Sequence, residues 1–282
     1  MRQAPDRASL RALTRCWRRE GLITALVPTM GNLHEGHLAL LEAARRHCDR
    51  VIVSLFVNPA QFDRSEDFSV YPRTLDADLE KLRQAGCDLV FTPDEQTMYP
   101  RGLEYAIRLT APPDLAQRLE GRFRPGHFDG VVTVVARLFC LVTPDIAVFG
   151  EKDYQQLLVV QRLVEDLGFD VRIEAVPTVR EQSGLAMSSR NRLLDPEQRM
   201  AAAALSRALQ QVIDDVRVQG LPHGDAEQRA TMVLQQAGLR VEYVAVRRAA
   251  DLRPVGHGDR NLRVLAAAWC GGTRLIDNKS LN

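Results

Sequence analysis

The stretch "LITALVPTMGNLHEGHLALLEAARRHC", residues 22–48, joins a strand pattern to a helix pattern through a loop that contains two glycines. Leu22 to Val27 is a short apolar run, which predicts a buried strand. The letters "HLALLEAARRHC" place Leu38, Leu41 and Ala44 on one side of a helix. A buried strand that leads directly into a helix is typical of a parallel sheet covered by helices.

The alternation of strand and helix patterns continues through the first 180 residues. Further buried strands are predicted at 51–57, 87–93, 145–150 and 169–177, and helices at 75–86 and 154–168. Gly86 and Gly168 fit the C-terminal ends of those two helices. The run "VVTVVARLFCLV" is rich in β-branched residues, but its length favours a buried helix.

After about residue 180 the strict alternation ends. One long helix is predicted from Asp195, the N-cap, through Gly220, followed by a helix at 226–238 and strands at 241–247 and 261–269. Helices followed by strands are typical of an α+β domain. We therefore expect an α/β protein with a Rossmann-like domain over residues 1–178 and a smaller α+β domain over residues 179–282.

Composition and charge exclude several classes of partner. Of 282 residues, 45% are hydrophobic and 26% are charged, and the formal net charge is +1. Such a balance predicts no binding to nucleic acid or to an anionic membrane. The five cysteines are scattered, which favours free thiols in a reducing compartment. The N-terminal residues form no apolar segment of signal-peptide length, so a cytoplasmic location is expected.

The pair His34 and His37 allows three interpretations. A zinc-protease helix places its histidines four residues apart, whereas these are three apart with Gly36 between them. Alternatively, one ring packs in the core and the other is solvated. In the third interpretation the rings serve a phosphate site, because the loop joins the end of a strand to a helix N-terminus, where phosphate binds. Gly31 and Gly36 would let a ligand approach the backbone.

Two further polar stretches carry side chains suited to phosphate. "GEKDYQQ" follows a predicted strand, so Lys152 could reach a phosphate and Asp153 could cap a helix or bind a hydroxyl. "LAMSSRNRLL" offers the hydroxyls of Ser188 and Ser189 and the guanidinium of Arg190. Taken alone, each stretch is better explained as solvated polar surface.

The end of the second strand leads to Asn58 and Gln61, and a glycine- and proline-rich loop carries Arg124 and His127. The segment Asp63 to Arg73, "DRSEDFSVYPR", is polar and short of aliphatic residues. We predict that this segment is a lid, with Tyr71 on its inner edge; the alternative is an ordinary solvated connection.

Taken together, these stretches resemble the pantoate–β-alanine ligase family. The resemblance is carried by "TMGNLHEGH", "LFVNPAQF", "DFSVYPRT", "EGRFRPGHFDGV", "FGEKDYQQ", "VPTVREQSGLAMSSRNRLL" and "GGTRLIDN", in that order along the chain. It implies the nucleotidyltransferase superfamily, in which "HEGH" is the H-x-G-H motif and "AMSSR" is a variant of the K-M-S-K-S loop.

The resemblance implies ATP-dependent formation of a pantoyl adenylate, followed by its capture by β-alanine. The residues that it implies for catalysis are His34, His37, Lys152, Ser188, Ser189 and Arg190. Those that it implies for ATP binding also include Pro28, Thr29, Met30, Gly31, Gly150, Asp153, Val179 and Met187. Those that it implies for pantoate are Asn58, Gln61, Gln156 and Met30.

The resemblance leaves other assignments less defined. Arg124 and His127 are candidates for the β-alanine site. Magnesium would accompany the triphosphate with few protein ligands, and Asp78 is a possible one. The family also suggests a homodimer.

Two other functions share part of the pattern. An adenylyltransferase of the same superfamily would keep "HEGH" and the serine loop but would not need "VNPAQF" or "GEKDYQQ". A non-catalytic nucleotide-binding module would tolerate loss of a histidine or of Lys152, whereas every polar position is filled here. Release of AMP that requires both pantoate and β-alanine would identify the ligase.

Overall fold

The computed structural model describes residues 1–62, 68–69 and 71–281, and the chain forms two compact units. Unit 1 contains Met1–Gln117, Gly121–Glu151 and Gln156–Pro177. Unit 2 contains Arg118–Glu120, Lys152–Gln155 and Thr178–Asn282. The two short segments of unit 2 lie within the range that the sequence assigned to the first domain.

Unit 1 contains a six-stranded parallel sheet, as the alternating apolar runs predict. Its strands are β1 (Arg2–Ala4), β2 (Thr24–Thr29), β3 (Arg50–Leu55), β4 (Leu89–Phe91), β5 (Ile146–Gly150) and β6 (Arg172–Val176). Their order across the sheet is β1-β4-β3-β2-β5-β6, and all pairs are parallel. The order reverses between β2 and β5, so the carboxyl ends of these two strands mark the point where such sheets bind ligands.

The helices of unit 1 follow the strands. They are α1 (Arg7–Arg19), α2 (Glu35–Arg45), α3 (Leu75–Gln84), α4 (Glu95–Met98), α5 (Pro113–Ala116), α6 (Glu120–Phe123), α7 (His127–Val142) and α8 (Tyr154–Leu167), with the first residues of α6 and α8 in unit 2. The helices α3 and α8 end just before Gly86 (φ +75°) and Gly168 (φ +62°), which confirms both predicted caps. The ambiguous run 131–142 lies within α7 and is buried at most of its positions, which explains its lack of polar periodicity.

The core of unit 1 is built from both faces of the strands. Val27 and Val53 pack with Leu41 of α2 and Leu82 of α3 in one cluster, and each is at most 2% exposed. Burial of a valine or leucine side chain contributes about 1.5–3 kcal/mol. On the opposite face of the same strands, Leu26 and Ile52 are also fully buried, so the sheet is covered on both sides.

The N-terminal strand β1 and helix α1 were not predicted from the sequence. Asp6 caps α1 by accepting the Ser9 N–H at 2.8 Å, and Leu10, Thr14 and Trp17 are buried along one side. Their spacing is helical, but the charged residues around them obscured the pattern.

Unit 2 pairs three helices with an antiparallel sheet. The elements are α9 (Pro196–Ala202), α10 (Ala204–Arg217), α11 (His223–Gln236), β7 (Arg240–Arg248), β8 (Leu262–Cys270) and β9 (Thr273–Ser280), with strand order β7-β8-β9. The prediction of one continuous helix from Asp195 was wrong, because the helix is interrupted at Ala203, where ψ is −17°. Asp195 does cap α9, through a capping box with Gln198.

Within residues 1–62, 68–69 and 71–281, no helix combines the length and the apolar character needed to cross a membrane.

Candidate active site

The loop after β2 begins at the point where the strand order of unit 1 reverses. The Thr29 hydroxyl donates to the Ser54 carbonyl at 2.9 Å and accepts the Gly31 N–H at 3.2 Å. Gly31 and Asn32 both have left-handed backbone conformations, with φ of +79° and +51°. This tight turn carries the chain from Pro28 and Thr29 at the strand end to the start of α2.

The two histidines of the loop are held together by backbone hydrogen bonds. His34 is the N-cap of α2, and its Nδ1 accepts the Gly36 N–H at 3.1 Å. The Nδ1 of His37 accepts the His34 N–H at 3.3 Å, and the ring centroids are 4.0 Å apart. Because a backbone N–H can only donate, Nδ1 of each ring is unprotonated, and the proton of each neutral ring lies on Nε2. The pair therefore carries two Nε2–H donors.

Asn58 directly precedes the short 3₁₀ turn Pro59–Gln61 that follows β3, and Gln61 is the last residue of that turn. Asn58 is 1% exposed, and its Nδ2 donates to Gln61 Oε1 and to the Gly130 carbonyl, both at 3.1 Å. The Nε2 of Gln61 lies 3.3 Å from the sulfur of Met30. Three residues that the sequence assigned to pantoate (Met30, Asn58 and Gln61) are therefore neighbours in unit 1.

Tyr99 fixes this amide pair and was not predicted from the sequence. Its hydroxyl donates to Asn58 Oδ1 at 2.7 Å, and the Ala60 N–H donates to the same oxygen at 3.3 Å. Tyr99 is 1% exposed, and its burial raises the pKa of the hydroxyl to about 12. The guanidinium of Arg137 lies over its ring, 4.9 Å from the centroid. Nothing in the local sequence around Tyr99 indicates this role.

Arg124 and His127 contact the backbone of Gln61. Both donate to the Gln61 carbonyl oxygen, Arg124 Nη2 at 3.2 Å and His127 Nδ1 at 2.8 Å. A second Arg124 nitrogen lies 3.1 Å from His127 Nε2. Arg124 and His127, which the family resemblance suggests for the β-alanine site, therefore support the turn that carries Gln61.

Of the predicted lid, the structure describes residues 68–69 and 71–73, and Tyr71 is the residue predicted on its inner edge. Its ring is 9% exposed and meets Phe62 edge to face, with centroids 5.7 Å apart. Residues 63–67 and residue 70 lie outside the described residues, so the lid stays a prediction.

Asp78, the possible metal contact, is 2% exposed and accepts the backbone N–H groups of Asn32 and Leu33, each at 2.8 Å. In the part of the chain that the structure describes, no group of three or more His, Cys, Asp or Glu side chains is placed to hold a metal ion. The contacts of Asp78 that the structure shows are therefore with the backbone of the loop.

Lys152 and Asp153 lie in the 3₁₀ turn Glu151–Asp153, which follows Gly150 at the end of β5. The Lys152 carbonyl accepts from Asn278 Nδ2 at 2.9 Å, and its Nζ lies 3.7 Å from Asp153 Oδ1. The backbone of the turn is therefore anchored within unit 2 by a C-terminal strand.

The consecutive glutamines after this turn have different environments. Gln155 is 2% exposed; it accepts the Glu120 N–H at 3.0 Å and donates to the Arg118 carbonyl at 2.8 Å. Gln156 is half-buried. Gln155 is thus a support of the fold, and Gln156, the residue that the sequence assigned to pantoate, remains the candidate ligand.

The segment 179–187 of unit 2 forms a small hairpin before the serine/arginine loop. The Met187 N–H donates to the Val179 carbonyl at 2.9 Å, so the two residues predicted to surround adenine are paired. Ser188 then caps the 3₁₀ turn Ser189–Leu193, its hydroxyl accepting the Arg190 N–H at 3.3 Å.

Two ion pairs anchor this hairpin, and the sequence did not predict them. Arg180 binds both carboxylate oxygens of Asp277, at 2.7 and 2.9 Å. Glu181 accepts from Asn191 Nδ2 and from Arg199, both at 2.8 Å. Arg180 and Glu181 directly follow Val179 in the chain, so these polar contacts hold the hairpin in front of the serine/arginine loop.

A family model for pantoate-β-alanine ligase matches residues 3–280. The chain belongs to the pantoate-β-alanine ligase family. Among curated members, a pantothenate synthetase of Thioalkalivibrio sulfidiphilus is 53% identical over 278 residues, covering 99% of this chain and 97% of that protein. One of Alkalilimnicola ehrlichii is 50% identical over 281 residues, covering 100% and 98%.

Solved structures of this family share the fold. Pantothenate synthetase from Thermus thermophilus superposes with a TM-score of 0.92 at 45% identity, covering 100% of this chain and 99% of that one. Pantoate-β-alanine ligase from Francisella tularensis, complexed with beta-gamma ATP and β-alanine, has a TM-score of 0.85 at 33% identity and covers 100% and 98%.

Proposed function

We propose that this protein joins pantoate to β-alanine in two steps through a pantoyl adenylate. As a member of the family it is a pantoate–β-alanine ligase that uses ATP. In the first step a pantoate carboxylate oxygen attacks the α-phosphorus of ATP and pyrophosphate leaves. In the second step the β-alanine amine attacks the acyl carbon, AMP leaves with the bonding electrons, and the amine loses a proton.

The observation that carries this proposal is the pair of Nε2–H donors of His34 and His37 at the reversal point of the sheet. During the attack, negative charge spreads over the phosphate oxygens, and fixed donors stabilise it more than they stabilise the ground state. The N–H groups at the start of α2 and the positive end of its dipole act on the same charge. Pro28, Thr29, Met30 and Gly31 would line the approach to these donors.

Pantoate binding is assigned to the amide pair of unit 1. The Gly130 carbonyl can only accept and the Ala60 N–H can only donate, so the orientation of the Asn58 amide is fixed. Asn58 Nδ2 therefore faces Gln61 Oε1, which leaves the Gln61 Nε2 group as the donor for a hydroxy acid. Met30 and Gln156 complete the proposed pantoate contacts.

The remaining ATP contacts follow the resemblance. Gly150 and Asp153 would contact the ribose, and Val179 and Met187 would surround the adenine. Lys152, Ser188, Ser189 and Arg190 would donate to the phosphates. The frame formed by Arg180–Asp277 and Glu181–Asn191 supports this proposal, because a donor acts in the transition state only if it is already in place.

The β-alanine site, the metal and the assembly are proposed from the family resemblance. Arg124 and His127 would bind β-alanine while they hold Gln61. Magnesium would enter with ATP and neutralise charge on the triphosphate. Asp78 is not assigned to the metal, because its oxygens accept backbone amides. A cytoplasmic homodimer is proposed from the family resemblance.

The test is the release of AMP by the purified protein in the four combinations of pantoate and β-alanine. AMP should appear at a sustained rate only when both are present with ATP, and pantothenate should form in equal amount. Transfer of AMP to a phosphate acceptor, without AMP release, would indicate an adenylyltransferase. Binding of ATP without turnover under any combination would indicate a non-catalytic module.

A further inference from the structure

We propose that Asp78 of α3, assisted by Lys81, is the positioning residue that holds the loop before His34 in its active shape. The proposal rests on the roles assigned above to His34 and His37. It gives Asp78 a backbone-organising function in adenylation in place of metal binding.

The carboxylate of Asp78 meets two consecutive backbone amides. Its Oδ2 accepts the Asn32 N–H and its Oδ1 accepts the Leu33 N–H, both at 2.8 Å. The Thr74 hydroxyl donates to Oδ2 at 3.0 Å. A carboxylate presents an acceptor oxygen to each N–H, whereas the amide of asparagine would place an NH₂ group against one of the N–H groups.

The backbone that Asp78 binds is left-handed at two consecutive residues, and only one of them is glycine. Gly31 and Asn32 are both left-handed, and Asn32 has a Cβ that disfavours this region. A Cβ on Gly31 would lie only 3.1 Å from Asp78 Oδ2, so the glycine also makes room for the carboxylate. The two hydrogen bonds offset the strain and select this turn over a relaxed one.

Lys81 binds the same residue, Leu33, from one turn further along α3. Its Nζ donates to the Leu33 carbonyl at 2.5 Å, while the Leu33 N–H is bound to Asp78. The Leu33 side chain is fully buried. The residue that precedes His34 is therefore fixed through its amide, its carbonyl and its side chain.

We call these contacts of Asp78 and Lys81 with the loop the clamp. The clamp determines where the two imidazoles lie. His34 is the N-cap of α2, and the His34 N–H is the group that holds Nδ1 of His37. A shift of the Leu33 peptide would move that N–H and disturb both the position and the tautomer of the rings. Misplacement of a catalytic group by about 1 Å can cost about a hundredfold in rate.

The decisive variant is Asp78→Asn, which keeps the size of the side chain but removes one acceptor. We expect pantoate-dependent ATP–pyrophosphate exchange to fall about 10- to 100-fold, with the KM for ATP changed by less than about twofold. The magnesium concentration for half-maximal rate should not change. Imidazole ¹⁵N spectra should change from single Nε2–H tautomers of His34 and His37 to mixed ones. Lys81→Met should show a smaller change in the same direction.

Two matched variants separate positioning from loss of charge and loss of stability. Asp76→Asn removes an exposed carboxylate from the same helix and should behave as the wild type. Asp215→Asn removes a fully buried carboxylate from unit 2, where it accepts from Gln211 and Arg229. It should lower the melting temperature without lowering the exchange rate of the folded protein.

Wild-type exchange by a folded Asp78→Asn protein would overturn the proposal. A raised magnesium requirement in that variant, with unchanged histidine spectra, would instead identify Asp78 as a metal ligand. If Asp78→Asn does not fold, Lys81→Met decides, and an unchanged rate and spectrum there would overturn the clamp. The proposed roles of the histidines are tested separately by His34→Ala and His37→Ala, whose wild-type rates would reject those roles whatever Asp78 does.

Discussion

The hydroxyl of Tyr99 donates to Oδ1 of Asn58 across 2.7 Å, although the two residues are 41 positions apart in the chain. Together with the Ala60 N–H on the same oxygen, this bond fixes the Asn58 amide so that its NH₂ group faces Gln61. The side chain proposed to bind pantoate is thus oriented by a buried phenol. Substitutions can test how unit 1 holds this amide pair and the histidine loop.

Replacement of Tyr99 by Phe should weaken pantoate binding more than it slows the chemistry. Loss of one buried hydrogen bond costs about 0.5–1.5 kcal/mol, so the KM for pantoate should rise about 2- to 12-fold. The kcat should stay within about twofold, because the phosphate donors are untouched. Tyr105→Phe, at a residue that is 75% exposed, is the control. An unchanged KM with a large fall in kcat would contradict this role.

Replacement of Gly130 by Ala should displace the turn that carries Gln61. A Cβ at this position of α7 would lie 2.2 Å from the Ala60 carbonyl oxygen, so the helix and the turn cannot both keep their places. Overpacking of this kind costs about 1–3 kcal/mol. We expect a lower melting temperature and a higher KM for pantoate, measured by thermal unfolding and steady-state kinetics.

The matched control for that variant is Gly224→Ala in α11, where a Cβ meets no atom within 4 Å. Alanine in a helix is favoured over glycine by about 0.5–1 kcal/mol, so this variant should be slightly more stable and fully active. If Gly130→Ala behaved like Gly224→Ala, the contact between α7 and the turn would not matter for the site.

Replacement of either His34 or His37 by Ala should slow adenylation sharply while the protein stays folded. Loss of one transition-state donor typically costs about 2.7–4 kcal/mol, or about a hundred- to a thousandfold in rate. The control is His47→Ala, since His47 is exposed and pairs with Glu174 away from the loop. Stoichiometric zinc in the purified protein, lost with either histidine, would contradict the phosphate role.

The buried hydroxyl of Tyr99 should also make stability depend on pH in alkaline solution. Burial raises its pKa from 10.0 to about 12, so the folded state holds this proton more tightly than the unfolded state does. The stability that results is fully present below about pH 10 and is lost as the pH rises to about 12. The difference in free energy of unfolding between the wild type and Tyr99→Phe should therefore shrink over this range. Urea denaturation of both proteins would show it, and a constant difference would contradict it.

The sequence was sufficient for the elements that carry a strong local pattern. The apolar runs that became β2, β3 and β5 predicted a parallel sheet, and the loops at their ends predicted where polar side chains would gather. The strand order β4-β3-β2-β5-β6 could not be predicted from the sequence, because it depends on contacts between distant segments. The break at Ala203 was missed because a run of alanines is uniformly favourable to helix.

The site shows the same limit. Asn58 and Gln61 could be singled out because they follow a strand within a few residues. Tyr99 and Asp78 could not be assigned, because their partners lie far away along the chain. Asp78 was considered as a magnesium ligand, since a sequence does not reveal that a carboxylate faces the amides of Asn32 and Leu33. Helix α1 was not predicted either, because charged residues surround the helical spacing of Leu10, Thr14 and Trp17.

The central claim, that an acyl adenylate forms at the histidine pair before the amine reacts, is tested most directly by positional isotope exchange in ATP. ATP labelled with ¹⁸O at the αβ-bridging oxygen would be incubated with the protein and pantoate, without β-alanine. Reversible cleavage would let the pyrophosphate rotate, so the label should scramble into non-bridging positions, and His34→Ala should suppress it. Scrambling that required β-alanine would contradict the two-step account, because the amine would then take part before pyrophosphate leaves.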